Sequence, residues 1–306
     1  MRVREHVGVV GATGFVGEAI VRALIARGAD VTAIRAPRLN SGARDLPGLR
    51  AELRSVALAR ETEELRRALT DCTVVVNAAG RAAAGAGLDD ALAGANALLP
   101  GLLAVAARPD ARFIHVSSAA VQGRRDVLDE STATSPFSPY STAKTLGEGL
   151  VRDREGETVC FRPTSVHGAG RPVTEALVRI LRSPVASVAG RGDRPTPQVL
   201  VDNVADAIAF VATTSETPPR VVVQPWEGLT TGELVRVLGG REPRHVPESF
   251  ARGFVAAAFQ LARLSTGAAG TARRLEMMWF GQRQEPGWLD ARWRPSQGLG
   301  AWRELA

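Results

Sequence analysis

The segment HVGVVGATGFVG (6–17) decides the fold of this chain. Its apolar half, 6–10, has the composition of a buried strand. Its glycine-rich half, 11–17, is followed by a stretch, 18–28, whose apolar residues have the spacing of a helix. A glycine turn between a strand and a helix is typical of dinucleotide-binding folds, because the helix N-terminus offers free N–H groups to a pyrophosphate. The three glycines of the turn permit close approach of the ligand and close packing of the helix on the strand.

Apolar runs and helix-like stretches alternate through most of the chain. This alternation predicts an α/β fold, a Rossmann-type doubly wound parallel sheet with helices on both faces. Beyond about residue 165 proline and glycine become frequent, which predicts a smaller, irregular C-terminal region that binds the substrate. The further strand-like runs are 30–34, 73–79, 112–118, 157–163 and 220–225, and the further helix-like stretches include 61–69 and 97–108.

We therefore predict two domains in the 306 residues. The dinucleotide-binding Rossmann domain spans 1–165 and is completed by about 199–225. The smaller substrate-binding domain takes 166–198 and 226–306.

The composition favours a small anionic ligand over nucleic acid. Hydrophobic residues make up 45% of the chain, the mean hydropathy is −0.02 and the net charge is +6. The arginines are spread along the sequence without a dense basic block, and aromatic residues are only 5%. A nucleic-acid-binding surface usually needs the basic cluster that is missing here, so we expect no nucleic-acid partner.

Neither a membrane segment nor a metal site is predicted. The longest apolar stretch, 253–264, is too short for a membrane span, contains Arg263, and is expected to pack as a core or dimer helix. No signal peptide precedes the first strand, so we expect a cytoplasmic protein without membrane insertion. Cys72 and Cys160 adjoin strand-like runs and are expected to be buried free thiols, and they lack metal-ligand spacing with the histidines.

The end of the second predicted strand, VTAIRAPR (31–38), bears on the choice of dinucleotide. An acidic residue after this strand would bind the ribose 2′-hydroxyl of NAD, whereas a basic one would accept the 2′-phosphate of NADP. No acid follows the strand, Asp30 lies at its other end, and Arg35 and Arg38 follow it. NADP(H) is therefore favoured over NAD(H), as much on the missing acid as on the arginines.

The segment SPYSTAK (138–144) holds the only tyrosine and the only lysine of the chain. A spacing of four residues puts Tyr140 and Lys144 on one face of a helix. An ammonium group beside a phenol lowers its pKa toward neutrality, which makes it a usable general acid or base. Phenylalanine has no proton to transfer and arginine is not a compact point charge, so the pair indicates catalysis.

Together these motifs resemble the extended short-chain dehydrogenase/reductase family, also called the NAD-dependent epimerase/dehydratase family. The resemblance covers nearly the whole chain and keeps the family's order of motifs. The matching segments are GATGFVG (11–17), VVVNAAG (74–80), HVSSAAVQG (115–123), YSTAK (140–144), FRPTSVHG (161–168), VDNVADAI (201–208) and RWRP (292–295).

The resemblance implies a role for each catalytic residue. Tyr140 is the general acid or base, and Lys144 lowers its pKa and binds the nicotinamide ribose. Ser118 holds the substrate oxygen, with Ser117 as the alternative, and Asn96 either organises the lysine or is a helix-surface or capping residue. The implied cofactor contacts are Gly11, Thr13, Gly14, Phe15, Val16, Gly17, Arg35, Arg38, Asn77, Ala78, Ala79, Gly80, Tyr140, Lys144, Pro163 and Val166.

Three departures from the family pattern concern the substrate side. Gln122 and His167 stand where the family often has tyrosine, and His167 either touches a substrate phosphate or lines the wall, which we favour. Alanines 119 and 120 replace the acidic residue that family dehydratases carry beside the serine, so dehydration is not expected. The implied substrate contacts are Ser118, Ala119, Gln122, His167, Arg191 and Arg194, and Arg171 is a further candidate for a diphosphate.

The C-terminal third most resembles sugar-nucleotide 4-keto reductases and epimerases. We therefore expect an NADP-dependent reductase of a nucleotide-linked keto sugar. A nucleotide-sugar 4-epimerase that retains NAD, and a reductase of an apolar ketone of sterol or polyketide type, remain alternatives. A non-catalytic dinucleotide-binding sensor is a further alternative, because a fold alone does not prove activity. The resemblance also implies a homodimer.

Overall fold

The computed structural model describes residues 5–82, 87–262 and 268–306. All six runs predicted as strands form strands of one parallel sheet. The strands are β1 (His6–Val10), β2 (Asp30–Ile34), β3 (Val74–Asn77), β4 (Arg112–Val116), β5 (Val127–Leu128), β6 (Thr158–Arg162), β7 (Ser165–His167), β8 (Ser187–Ala189), β9 (Gln198–Leu200), β10 (Val221–Val223), β11 (Arg244–Val246) and β12 (Arg283–Gln284).

The helices lie between the strands and in the C-terminal part of the chain. The α-helices are α1 (Phe15–Ala26), α2 (Leu46–Leu53), α3 (Ala59–Ala68), α4 (Asp90–Ala93), α5 (Leu99–Ala106), α6 (Pro139–Arg152), α7 (Pro172–Arg182), α8 (Val201–Thr213), α9 (Thr231–Gly239), α10 (Glu248–Ala262), α11 (Ala268–Phe280) and α12 (Leu299–Glu304). The predicted helix 97–108 begins earlier than expected, because a π-helical turn, Gly94–Leu98, joins α4 to α5.

The order of the central sheet is β10-β6-β4-β3-β1-β2. From β1 the chain first moves outward to β2 and then crosses to β3 on the other side, so the direction of winding reverses between β1 and β3. In open α/β sheets ligands bind at such a reversal, in the crevice outside the carboxyl ends of the two strands. The fold therefore places the glycine turn at the expected ligand site.

Both faces of the sheet are covered, which confirms the doubly wound fold. On one face α1 and α8 pack against each other, and side chains such as Ile20 and Ile208 lie with Val9 in one apolar core. On the other face α3, α5 and α6 contribute a second core that includes Leu102 and Phe113. Cys72 and Cys160 belong to this second core as buried free thiols, as predicted.

The C-terminal part of the chain has apolar cores of its own. Leu181, Leu234 and Trp302 belong to one of them, which α7, α9 and α12 share, and α10 packs against α11 in another. Leu289 and Trp293 instead join the core formed by α1 and α8. The domain boundaries stay a prediction. Within the described ranges no helix has both the length and the apolarity needed to cross a membrane.

Glu227, in the loop after β10, links β9 to α12 and makes stability depend on pH. Its carboxylate accepts hydrogen bonds from the Leu200 N–H (2.9 Å) and from the Trp302 indole (3.1 Å). Burial raises the pKa of Glu227 from 4.5 to about 7. Because the folded chain holds this proton more tightly than the unfolded chain, the free energy of unfolding falls as pH rises between those two values.

We expect urea unfolding to show this dependence directly. Between about pH 5 and about pH 8 the native chain should lose roughly 1–3 kcal/mol through Glu227. Glu227→Gln should lose correspondingly less over the same interval, because its amide does not ionise. Equal losses in the two proteins would contradict the assignment to Glu227.

Candidate active site

The glycine turn is shaped by two close approaches. Gly11 has a φ of 84°, and a Cβ there would lie 2.6 Å from the Ala79 nitrogen. A Cβ at Gly17 would lie 2.0 Å from the Gly11 carbonyl oxygen, so only glycine lets α1 approach the turn this closely. Gly14, the N-cap of α1, makes no side-chain capping bond. The first N–H groups of α1 therefore remain for a ligand, and the turn fits the pyrophosphate of a dinucleotide.

The chain after β3 forms the other wall of this crevice. Asn77 is fully buried, and its side-chain oxygen accepts a hydrogen bond from the Ala79 N–H (3.1 Å). The Ala78 N–H donates to the Val10 carbonyl (2.9 Å), which ties the two strand ends together. Gly80 follows and is exposed. The residues predicted to contact the cofactor from this segment thus lie together at the reversal point of the sheet.

Arg35 and Arg38 follow β2, the strand beside β1, and both are exposed. Neither makes a hydrogen bond or ion pair with any other described residue, although most ion pairs of the chain involve arginine. Two unpaired guanidinium groups beside the end of β1 are suited to a ribose 2′-phosphate. The acid that would bind the 2′-hydroxyl of NAD is missing from 31–38.

Helix α6 fixes the positions of the tyrosine and the lysine. Ser138 caps its N-terminus and accepts from the Ser141 N–H (3.2 Å), and the Ser141 hydroxyl accepts from the Ser138 N–H (2.9 Å). Pro139 occupies the first helical position, where its missing N–H costs no hydrogen bond. Tyr140 therefore lies in the first turn, and Lys144 lies one turn later on the same face.

The Lys144 ammonium is buried at the carboxyl end of β4. It donates to the Val116 carbonyl (2.9 Å), and a Cβ at Gly80 would lie 3.3 Å from Nζ. Burial lowers the pKa of Lys144 to about 8, and the carboxylate of Glu148 opposes the shift. The lysine thus lies against the chain that borders the cofactor crevice.

Asn96 is fully buried, so it is not a helix-surface residue. It lies in the π-helical turn, its amide donates to the Arg81 carbonyl (2.8 Å), and its side-chain oxygen accepts from the Arg81 N–H (2.9 Å). A Cβ at Gly80 would lie 2.8 Å from this oxygen. Asn96 therefore orders the chain segment against which Lys144 lies. A π-turn inside a helix often marks a functional site.

Ser118, not Ser117, accompanies Tyr140. The Ser118 side chain lies close enough to the phenol to lower the pKa of Tyr140, and its oxygen accepts from the Ala120 N–H (3.2 Å). The Ser117 hydroxyl is buried and has no hydrogen-bond partner among the described residues. Burial raises the pKa of Tyr140 above its ordinary value of 10. Ser118 and the positive charge of Arg171 lower this pKa, but their effect is smaller than that of burial. This upward direction is opposite to the lowering by Lys144 that the sequence predicts, and the phenol therefore carries its proton at neutral pH.

Two of the predicted substrate contacts are engaged inside the protein. The Gln122 amide is fully buried, donates to the Asp129 carboxylate (2.6 Å) and accepts from the Asp129 N–H (3.3 Å). The nitrogens of His167 bond to Ser165 and Gln198 on one side and to Thr174 on the other. Burial lowers the pKa of His167 to about 4, so the ring is neutral and lines the wall. Each polar side-chain atom of Gln122 and His167 already has a partner within the protein, so neither residue offers a free one to a substrate.

The remaining predicted contact residues lie either beside Ser118 and on β7 or at the protein surface. Ala119 lies beside Ser118 and its N–H donates to the Pro163 carbonyl (2.9 Å), while Val166 is buried on β7. Arg191 is exposed and pairs with Asp193 (2.8 Å), and Arg194 pairs with Glu248 (3.1 Å). The described contacts therefore connect the arginines at 191 and 194 to surface carboxylates rather than to Tyr140.

A buried charge network behind Lys144 was not predicted. Glu148 accepts from Arg162 Nε (2.9 Å) and Nη2 (2.7 Å), and Arg152 Nη1 donates to it as well (3.0 Å). The side chains of Glu148 and Arg162 are fully buried. The spacing of four residues between Lys144 and Glu148 was a signal that the sequence offered. The partner on β6 could be found only from the fold. Within the described ranges, no cluster of His, Cys, Asp and Glu side chains is arranged to hold a metal ion.

Comparisons with known proteins agree with this geometry. A family model described as the NAD dependent epimerase/dehydratase family matches residues 7–223. No curated protein matches the chain significantly. A human epimerase family protein solved with NADPH is similar in structure, with a TM-score of 0.65, 20% identity, and coverage of 98% of this chain and 99% of that one.

Two bacterial structures show the range of related proteins. The UDP-N-acetylglucosamine 4-epimerase from Bacillus cereus has a TM-score of 0.62 and 13% identity, and the match covers 98% of each chain. The dTDP-4-dehydrorhamnose reductase from Bacillus anthracis, in complex with NADP, has a TM-score of 0.57 and 17% identity, and the match covers 80% of this chain and 84% of that one. At these identities the similar structures establish only the fold. The family model, in contrast, spans most of the chain. We conclude that this protein belongs to the NAD dependent epimerase/dehydratase family and is an NAD(P)-dependent enzyme.

Proposed function

We propose that this enzyme uses NADPH to reduce the carbonyl of a nucleotide-linked keto sugar, with Tyr140 as the general acid. The observation that carries the proposal is the position of Tyr140, whose phenol lies beside Ser118 and one helical turn from Lys144, with its pKa raised by burial. A protonated phenol is the form that a reduction consumes, because the carbonyl oxygen must receive a proton as the carbon receives hydride.

The residues divide the work as follows. A bound nicotinamide cofactor supplies the hydride. Ser118 holds the carbonyl oxygen and stabilises the charge that develops on it, and Tyr140 gives that oxygen its proton. Lys144 offers a positive charge that favours the resulting phenolate. Asn96 keeps the chain at Gly80 in place against the lysine.

The choice of NADP rests on the two arginines after β2. Arg35 and Arg38 are exposed and unpaired among the described residues, and no acid follows the strand. A 2′-phosphate would give these guanidinium groups the anionic partner that they lack. Two of the similar structures, named for a reductase and an epimerase family protein, were solved with NADP or NADPH, which supports the proposal.

The proposed substrate class, a nucleotide-linked sugar, rests on the names of proteins with similar structures. Their names include a reductase of a dTDP-linked dehydro sugar and a 4-epimerase of a UDP-linked sugar. The 4-epimerase match covers nearly the whole chain, so epimerisation on a retained NAD is the second candidate. Homodimerisation and a cytoplasmic location stay predictions.

A fluorescence titration with NADPH and NADH separates the two candidates. We expect the native enzyme to bind NADPH at least about tenfold more tightly, and Arg35→Ala with Arg38→Ala to abolish most of that preference, because each charged hydrogen bond contributes roughly 1.5–3 kcal/mol. Arg191→Ala, an exposed and ion-paired arginine, is the matched control and should leave the preference unchanged.

Turnover then tests the substrate. Oxidation of NADPH should depend on a dTDP- or UDP-linked 4-keto sugar and should not occur with the free sugar. Copurifying NAD that does not exchange, together with no preference for NADPH, would contradict the reductase and favour the epimerase. Tight cofactor binding without turnover of any keto substrate would favour a sensor. Turnover of apolar ketones alone would overturn the choice of a sugar nucleotide.

A further inference from the structure

Arg171 lies between the glycine turn and the catalytic tyrosine. Its guanidinium carbon lies 4.8 Å from the centre of the Phe15 ring, and Phe15 is the first residue of α1. One of its Nη groups donates to the carbonyl of Val166. Its charge also acts on the Tyr140 phenol. The side chain therefore bridges the cofactor turn and the reaction centre.

This guanidinium has no carboxylate partner in the part of the chain that the structure describes. It is half-buried, and burial lowers the pKa of Arg171. A partly desolvated cation without an anion is unfavourable. The N-terminus of α1 adds a second positive end nearby. The acidic residue in the first turn of α1, Glu18, is exposed and pairs with Arg22 (3.0 Å).

The segment that carries Arg171 is held rigidly over the turn. β7 pairs with β9, and the Gly168 N–H donates to the Thr174 hydroxyl (3.2 Å). A Cβ at Gly168 would lie 2.8 Å from the Phe15 ring, so the segment is in close contact with the first residue of α1. Arg171 is thus fixed in place rather than free to reach distant anions.

We propose that Arg171 binds the pyrophosphate of the cofactor from the side opposite the glycine turn. A pyrophosphate at the N-terminus of α1 would lie between the free N–H groups of the turn and the guanidinium on Phe15. It would supply the anion that both positive groups lack. The inference rests on the dinucleotide site of the proposed function but is independent of the sugar substrate.

Contact with Phe15 favours the cofactor over the substrate as the source of the anion. The pyrophosphate of a bound dinucleotide belongs at the start of α1, which is where the Arg171 guanidinium lies. Arg171 is therefore assigned to the cofactor.

Ligand fragments test this assignment by calorimetric titration. We expect Arg171→Gln to raise the Kd for NADP⁺ and for ADP-ribose by roughly 10- to 100-fold, because both contain the pyrophosphate. The Kd for adenosine 2′-phosphate, which lacks it, should change by less than about twofold. Arg171→Lys should recover only part of the affinity, since a point charge does not match two phosphate oxygens.

Arg179→Gln is the matched control, because Arg179 is an exposed arginine on the helix that follows Arg171. It should bind every ligand as the native chain does, and thermal melts should show all variants folded. An unchanged Kd for ADP-ribose in Arg171→Gln would overturn the assignment. A raised KM for the sugar nucleotide with unchanged cofactor affinity would likewise overturn it and assign Arg171 to the substrate. If the native chain binds no dinucleotide, the proposed function fails together with this inference.

Discussion

Replacing Tyr140 with phenylalanine should lower kcat by roughly 10²- to 10⁴-fold, the range typical of losing a general acid. Phenylalanine keeps the ring and its packing but has no proton to give to the carbonyl oxygen. The Kd for NADPH should stay within about threefold, because the glycine turn and the two arginines after β2 supply most of the cofactor contacts. Steady-state turnover with a 4-keto sugar nucleotide and a fluorescence titration measure the two quantities.

The two serines that follow β4 provide a matched pair for this experiment. Ser118→Ala should reduce kcat by roughly 10- to 100-fold with little change in KM, because it removes a hydrogen bond to the charge that develops in the transition state. Ser117→Ala removes a hydroxyl that has no partner among the described residues and should be nearly neutral. Equal losses in both variants, or activity retained in Tyr140→Phe, would contradict the assigned roles.

The pH profile gives an independent readout. Burial raises the pKa of Tyr140 and lowers that of Lys144 to about 8. Reduction needs the protonated phenol and benefits from the charged lysine, so both groups are in their active forms below about pH 8. We therefore place the alkaline decline in kcat near the titration of Lys144.

The fold and the shared helix face of Tyr140 and Lys144 could be predicted from the sequence because their signals are local. A strand, a glycine turn and a helix follow one another within 6–28, and the apolar runs alternate with helix-like stretches. The +4 spacing of Tyr140 and Lys144 fixes their shared face without any knowledge of the fold. These features depend on backbone geometry and hydrophobic period, which a sequence displays directly.

The substrate side could not be predicted in the same way, because polar partners there come from distant parts of the chain. Gln122 bonds to Asp129 and His167 to Gln198, so residues expected to face a substrate are engaged internally. Arg171 is set apart from surface arginines by contacts that only the fold reveals, among them those with Phe15 and Val166. In a chain where arginine replaces nearly all lysine, the sequence alone does not separate a functional arginine from a surface one.

The buried network behind Lys144 leads to the second large expected effect. Glu148→Ala should lower the free energy of unfolding by about 3–5 kcal/mol, because it leaves the Arg162 guanidinium buried without its carboxylate. Arg162 is fully buried, and its Nε and Nη2 both donate to Glu148. Urea unfolding measures the change. The double variant Glu148→Leu with Arg162→Met should recover much of the loss, because it removes both charges together.

Glu148 also connects this network to Lys144, which we propose to act in catalysis. Its negative charge raises the pKa of Lys144 against the lowering effect of burial, so neutralising it should lower that pKa further. Glu148→Gln, which retains the shape of the side chain, should therefore move the alkaline decline of kcat to lower pH. Glu61→Gln, on α3 and paired with the exposed Arg60, is the control and should leave the profile unchanged. A purely structural role for Glu148 would reduce stability and leave the pH profile where it is, because only a charge that acts on Lys144 can shift the titration.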